Sequence, residues 1–133
     1  MTDQELKKIL DETKTIAMVG ASSNPERPSY RIFEILKNAG YRVIPVNPKK
    51  TEVLGVPAVA SLSEIEEQVD VVDVFRKSED TPAIADEAVK IGANVLWLQL
   101  GVSNDEAAAM AKAGGLQVVM NTCMGATWKR LHA

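Results

Sequence analysis

The stretch TIAMVGASSNPERPSY, residues 15–30, decides the fold. It opens with the run Thr15–Val19, which is apolar after its first residue and does not alternate with polar residues. A strand covered by helices on both faces has this pattern, because neither face meets water. Gly20 then permits a sharp turn, and Pro28 suits the first position of an amphipathic helix. The stretch therefore predicts a strand, a turn and a helix in succession.

The same pattern recurs along the chain. Four further apolar runs cover residues 42–46, 71–75, 95–100 and 116–120. Helix-start signals lie before or between the runs: Thr2 with Glu5, Ser61 with Glu64, Thr81 before Pro82, and Ser103 with Glu106. This alternation predicts an α/β fold, a Rossmann-like doubly wound sheet of about five parallel strands with helices on both faces, in a single domain over residues 1–133.

One predicted strand and the segment after it are irregular. Pro45 removes a hydrogen-bond donor from the second strand, which indicates that only one neighbouring strand uses that part of the backbone. Residues 51–60 are predicted to hold a short extra strand.

Composition narrows the class of protein. The chain has 133 residues and a net charge of −3, so it carries no basic footprint for nucleic acid. No apolar run approaches the ~18 residues of a membrane helix, and the polar N-terminus is unlike a signal peptide. Cys123 is the single cysteine and cannot form an internal disulfide. We expect a cytoplasmic protein that binds neither nucleic acid nor membrane.

The turn after the first strand favours an anion. Gly20, Ala21 and Ser22 let a ligand approach the backbone closely, and the following helix directs its positive dipole end toward the same place. The fingerprint G-x-G-x-x-G is absent, because no second or third glycine follows. The turn therefore predicts a phosphate site, with plain turn geometry as the alternative. Arg27 is a candidate phosphate ligand, and a solvated loop charge is the other interpretation.

The end of the second strand bears on which nucleotide binds. NAD-binding domains carry an acidic residue there for the adenosine ribose, whereas this chain reads Val46-Asn47-Pro48-Lys49-Lys50. A lysine favours a ribose phosphate, either the 2′-phosphate of NADP or the 3′-phosphate of coenzyme A (CoA). Lys49 is the predicted ligand, and Lys50 is interpreted as an exposed loop residue.

These blocks resemble a known family. Residues 20–22, 27–30 and 40–48 are similar to the small stand-alone CoA-binding proteins of bacteria and archaea, which are themselves similar to the N-terminal CoA-binding domain of the succinyl-CoA synthetase α-subunit. The likeness extends through residues 98–101 and 121–124. Asn121 and Thr122 depart from the acidic and basic residues that many members carry around the final cysteine.

The resemblance implies a role for each block. The turn at residues 20–22 holds the pyrophosphate, Val46, Asn47 and Lys49 flank the adenosine, and residues 75–78 border the adenine and pantetheine. The predicted site residues are Gly20, Ala21, Ser22, Asn24, Arg27, Pro28, Ser29, Tyr30, Val46, Asn47, Pro48, Lys49, Phe75 and Arg76.

No catalytic or metal-binding constellation is predicted. His132, the chain's one histidine, is the penultimate residue and is expected to be frayed. Asp73 is interpreted as a buried acid whose hydrogen bonds are satisfied, and Trp97 and Trp128 as packing anchors. Cys123 is expected to be inert, with contact to a ligand thiol as the alternative.

Three functions follow as hypotheses. The first is a CoA-binding or acyl-CoA-binding carrier, sensor or regulatory module that catalyses nothing by itself. The second is an NADP-dependent oxidoreductase or redox sensor. The third is the CoA-binding subunit of an acyl-CoA ligase completed by another chain. A homo-oligomer stays open as well.

Overall fold

The five apolar runs form one parallel sheet. The computed structural model describes residues 1–132, so Ala133, the end of the predicted domain, lies outside the described residues. The strands are β1 (Thr15–Val19), β2 (Arg42–Val46), β3 (Val71–Val74), β4 (Val95–Leu98) and β5 (Gln117–Val119), in the spatial order β2-β1-β3-β4-β5. The predicted Rossmann-like α/β sheet is confirmed.

Five helices cover the sheet. They are α1 (Asp3–Glu12), α2 (Pro28–Asn38), α3 (Thr81–Lys90), α4 (Asp105–Ala113) and α5 (Met124–Leu131), with short 3₁₀ turns at Leu62–Glu64 and Ser78–Asp80. Helices α1, α2 and α5 contribute Leu10, Phe33 and Met124 to the core on one face of the sheet. Helices α3 and α4 contribute Ala85 and Ala111 to the core on the other face. None of these helices has the length and apolar character that crossing a bilayer requires.

The strand register aligns the carboxyl ends of the strands at one edge. Val19, the last residue of β1, pairs with Val46 of β2 and with Val74 of β3. Val74 in turn pairs with Leu98, the last residue of β4. The chain segments that leave these strands therefore start side by side, and ligands of open α/β sheets bind at this edge.

The position of β2 explains its proline. The strand lies at the edge of the sheet, so Pro45 needs no second strand as a partner, and its carbonyl accepts a hydrogen bond from the Val59 amide at 3.0 Å. The extra strand predicted in residues 51–60 is reduced to isolated bridges, Val46 with Val59 and Val53 with Val56.

Two of the predicted helix starts differ from the prediction. Helix α4 is capped by Asn104, whose side chain accepts from the Ala107 amide at 2.9 Å, so the predicted box of Ser103 with Glu106 is wrong. Asparagine caps as well as serine, and the chain enters the helix one residue later than expected. The Ser61–Glu64 box forms, but it opens a three-residue 3₁₀ turn and not an α-helix.

Candidate functional site

A groove of about 1060 Å³ runs along the carboxyl edge of the sheet. The turns that leave β1, β2, β3 and β4 form its floor, and the first residues of α2 and the residue before α5 close its side. The predicted site residues that line it are Gly20, Ala21, Ser22, Arg27, Pro28, Ser29, Asn47, Pro48, Lys49, Phe75 and Arg76.

Gly20 turns the chain at the end of β1, directly beside the residue that follows β3. Its φ is +85°, and a Cβ at this position would lie 2.5 Å from the Phe75 carbonyl oxygen. The Phe75 amide donates to the Val19 carbonyl at 2.8 Å, which holds the two strand ends together. Packing of β1 against β3 therefore requires glycine here, whatever binds in the groove.

The loop after Gly20 is built by short side chains that hydrogen-bond the backbone. Ser29 Oγ accepts from the Ser22 amide at 3.1 Å, and Ser22 Oγ accepts from the Asn24 amide at 3.1 Å. Asn24 Oδ1 accepts from the Glu26 amide at 3.0 Å. Asn24 does not line the groove, and its side chain shapes the loop. Tyr30 does not line the groove either, and it packs against the core.

The N-terminus of α2 faces the groove without a side-chain cap. Arg27 occupies the N-cap position and makes no capping hydrogen bond, and Pro28 supplies no amide proton. An uncapped helix N-terminus has free amide donors and the positive end of the helix dipole. This arrangement favours an anionic group in the groove.

The charge of the groove is positive. Within the described chain its lining has one acidic side chain, Glu26, against five cationic ones: Arg27, Arg31, Lys49, Arg76 and Lys77. Arg76 is partly neutralised by Asp80, whose carboxylate lies 3.2 Å away. A ligand with several phosphate charges complements this lining.

The two lysines after β2 lie in different surroundings. Lys49 lines the groove, whereas Lys50 forms an ion pair with Glu64 at 3.2 Å. Asn47 shapes this loop, because its amide donates to the Thr51 carbonyl at 3.1 Å and accepts from the Thr51 amide at 2.9 Å. Lys49 therefore stays a predicted ligand, and Lys50 lies outside the groove lining.

A smaller cavity of about 390 Å³ adjoins the groove. Gly20, Asn47, Pro48 and Arg76 line both spaces and form the ridge between them. Val46, which does not line the groove, faces this second cavity.

The far end of the groove is less charged, and the sequence pointed to only one of its residues, Cys123, as an alternative contact for a ligand thiol. We call it the distal end; it is lined by Gln99, Leu100, Val102 and Cys123. The predicted fourth strand ran to Leu100, but β4 ends at Leu98, so the next residues form a loop at the ligand-binding edge. If the fourth strand had been predicted to end at Leu98, Gln99 and Leu100 would have been assigned to the loop at the ligand-binding edge.

Hydrogen bonds hold the distal end in shape. Gln99 is buried, with 7% of its surface exposed, and its Oε1 accepts from the Met124 amide at 3.4 Å. Cys123 caps α5, and its Sγ accepts from the Ala126 amide at 3.4 Å. Asn121 Oδ1 accepts from the Gly101 amide at 2.7 Å. Asn121 therefore holds the β4 loop in place.

Asp73 is fully buried in β3, between Met18 and Trp97 in the register of the sheet. Neither carboxylate oxygen has a hydrogen-bond partner within residues 1–132, so the expectation of a satisfied acid is wrong. Burial raises the pKa of this carboxyl to about 8, because a charge in an apolar surrounding is poorly solvated. Asp73 does not line the groove.

His132 lies at the opposite edge of the sheet from the groove. Its Nε2 lies 2.8 Å from Asp11 Oδ1, and its ring stacks on Trp128 with centroids 5.1 Å apart. The expectation of a frayed side chain is therefore wrong, since contacts to α1 and α5 hold the ring. Trp97 is fully buried and donates from Nε1 to the Thr122 carbonyl at 2.8 Å, as a packing anchor should.

Comparison with known proteins identifies the family. Residues 14–129 match the model of the CoA binding domain. The chain belongs to the CoA-binding domain family. The groove, the Gly20 turn and all five cationic lining residues fall within the matched residues.

Relatives of this CoA-binding domain occur alone and within larger proteins. The chain is 46% identical over 120 residues to YneT of Bacillus subtilis, covering 90% of this chain and 89% of that protein. A hypothetical protein from Pyrococcus horikoshii superimposes with a TM-score of 0.97 at 41% identity, over 100% of this chain and 94% of its own. An ADP-forming acetate–CoA ligase of Methanocaldococcus jannaschii is 25% identical over 131 residues, covering 92% of this chain and 18% of the ligase.

Proposed function

We propose that the protein binds CoA or an acyl-CoA along the carboxyl-edge groove, as a carrier, sensor or regulatory module that catalyses nothing by itself. The observation that carries the proposal is the cationic groove itself, in which Lys49 stands where NAD-binding domains have an acid. Membership of the CoA-binding domain family supports the same ligand.

The length and polarity of the groove fit an elongated nucleotide. Neighbouring strands lie about 4.8 Å apart, so Lys49 after β2 and Gln99 after β4 are separated by three strand spacings, roughly 14 Å. The ribose phosphate then lies near Lys49 and the pyrophosphate at the turn after Gly20. The pantetheine arm extends toward the distal end, where the charged side chains give way to Leu100 and Val102.

The absence of catalysis rests on the chemistry of the groove lining. Within the described residues the groove has no histidine, and His132 lies at the other edge of the sheet. Cys123 lines the distal end, but its Sγ accepts from the Ala126 amide as the cap of α5, so we assign it no nucleophilic role. Ligation by the chain alone would need a group that transfers an activated phosphoryl or acyl intermediate, and neither the turn nor the distal end supplies one.

The deciding experiment is calorimetric titration with CoA, dephospho-CoA, NADP and NAD. We expect CoA to bind most tightly, NAD to bind weakest, and pure protein with ATP, magnesium, CoA and small carboxylates to form no acyl-CoA. Tighter binding of NADP than of CoA would replace the proposal with the oxidoreductase or redox-sensor alternative.

A ligase partner is a second candidate. The ADP-forming ligase relative of M. jannaschii places a similar sequence within a protein several times longer. If this chain serves as the CoA-binding subunit of such an enzyme, a partner chain should co-purify with it, and ligation should require both. If acyl-CoA forms only when this chain and the partner chain are mixed, the subunit role replaces the stand-alone role.

A further inference from the structure

The distal end holds a buried amide with an unused donor. Gln99 lines the groove, yet 7% of its surface is exposed. The backbone amide of Met124 is a donor, so the atom of the Gln99 side chain that lies 3.4 Å from it must be the acceptor, Oε1. That assignment turns Nε2 away from α5. Within residues 1–132 this Nε2 donates to no acceptor.

The Gln99 Nε2 donor still reaches water in the groove, because it is not among the fully buried side-chain atoms that lack a partner. A ligand that fills the groove displaces that water and must supply an acceptor in its place, since an unmatched amide loses its hydration without replacement. The surroundings restrict what that acceptor is. Leu100 and Val102 line the same end, and Leu100 is 67% exposed although it is a large apolar side chain. The ligand end that fits has one neutral acceptor beside apolar atoms.

We propose that the distal end recognises an acyl thioester, with Gln99 Nε2 donating to the acyl carbonyl oxygen and Leu100 covering the acyl chain. This inference rests on the proposed CoA-binding function and makes it more specific. Free CoA ends in a thiol, which accepts hydrogen bonds only weakly, whereas a thioester carbonyl is a full acceptor. The preferred ligand is then an acyl-CoA with an uncharged acyl group.

The test compares two ligands of nearly the same shape. Acetyl-CoA has the carbonyl, and S-ethyl-CoA replaces it with a methylene. Calorimetric titration of the wild-type protein should show acetyl-CoA binding about three- to ten-fold more tightly, the range that a neutral hydrogen bond supplies. Equal affinity for the two ligands would overturn the inference.

Two variants assign the effect to one residue. Gln99→Glu keeps an oxygen for the Met124 amide and removes the donor, and Gln99→Met removes both groups at similar length. In each, the ratio of the two affinities should fall to about one, and taking the ratio cancels any general loss of binding. Gln117→Met is the matched control, since Gln117 is exposed at the start of β5, away from the groove.

The remaining outcomes separate this inference from the proposal beneath it. A ratio that survives in both folded Gln99 variants, checked by circular dichroism, would overturn the assignment to Gln99. Binding of CoA with no preference for acetyl-CoA over S-ethyl-CoA would overturn the thioester site and leave the CoA site standing. No binding of any CoA compound would overturn both.

Discussion

A Cβ at Gly20 would lie 2.5 Å from the carbonyl oxygen of Phe75, closer than non-bonded atoms can approach. The contact joins the turn after β1 to the end of β3. From the sequence, Gly20 was expected to permit a sharp turn beside a ligand, whereas the atoms nearest to an added Cβ belong to Phe75 and Arg76 after β3. The geometry of the anion site and the packing of the sheet therefore depend on the same residue.

Gly20→Ala should destabilise the fold by about 2 kcal/mol or more, through the positive φ together with the clash at Phe75. Gly55→Ala is the matched control, because Gly55 has a φ of +81° with no atom within 4 Å of the added Cβ. Its free energy of unfolding should fall by only about 1 kcal/mol, the cost of a positive φ for alanine. Urea unfolding measures both. Equal losses would show that the contact with Phe75 relaxes without cost.

Lys49→Ala should erase most of the preference for CoA over dephospho-CoA. A charge-assisted contact to the ribose phosphate is worth about 1.5–3 kcal/mol, so the wild-type preference should be roughly ten-fold or more. Lys50→Ala is the control, since its ammonium is paired with Glu64 and does not line the groove. Calorimetry with both ligands decides. A wild-type protein that binds the two equally would leave Lys49 without a role in the site.

Asp73 should make the protein less stable as pH rises. Its folded pKa of about 8 lies above the ordinary value of 3.8, so the stabilising contribution of the protonated form is complete below pH 4 and is lost as pH rises to 8. The slope is on the order of 1 kcal/mol per pH unit in that window. Asp73→Asn should remove this dependence of stability on pH. Denaturant midpoints between pH 5 and pH 8 give the comparison, and parallel profiles for both proteins would contradict the prediction.

Asn104→Ala should cost about 1 kcal/mol of stability or more, because the Ala107 amide loses its capping acceptor and the Ser78 carbonyl loses the bond from Asn104 Nδ2. Ser103→Ala should cost almost nothing, since the Ser103 side chain makes no capping bond to α4. Thermal unfolding of the two variants distinguishes the caps. A larger loss for Ser103→Ala would restore the capping box that the sequence predicted.

Local patterns in the sequence determined the elements and much of the groove. The apolar run before Gly20 and the proline opening α2 make a strand, a turn and a helix from neighbouring residues alone. Because parallel strands put their carboxyl ends at one edge, the turn after β1 and Lys49 after β2 could be assigned to one site before any distance was known.

Only the tertiary structure decided what depends on residues far apart in sequence. Nothing near Asp73 in the chain indicates that its carboxylate lacks a partner, since the groups around it come from β1 and β4. The contact of Gly20 with Phe75 joins positions more than fifty residues apart. The Nε2 donor of Gln99 faces away from α5 because that helix brings the Met124 amide against Oε1 of the same side chain. Hydrogen-bond satisfaction and close packing are properties of spatial neighbours, and the sheet order sets which residues those are.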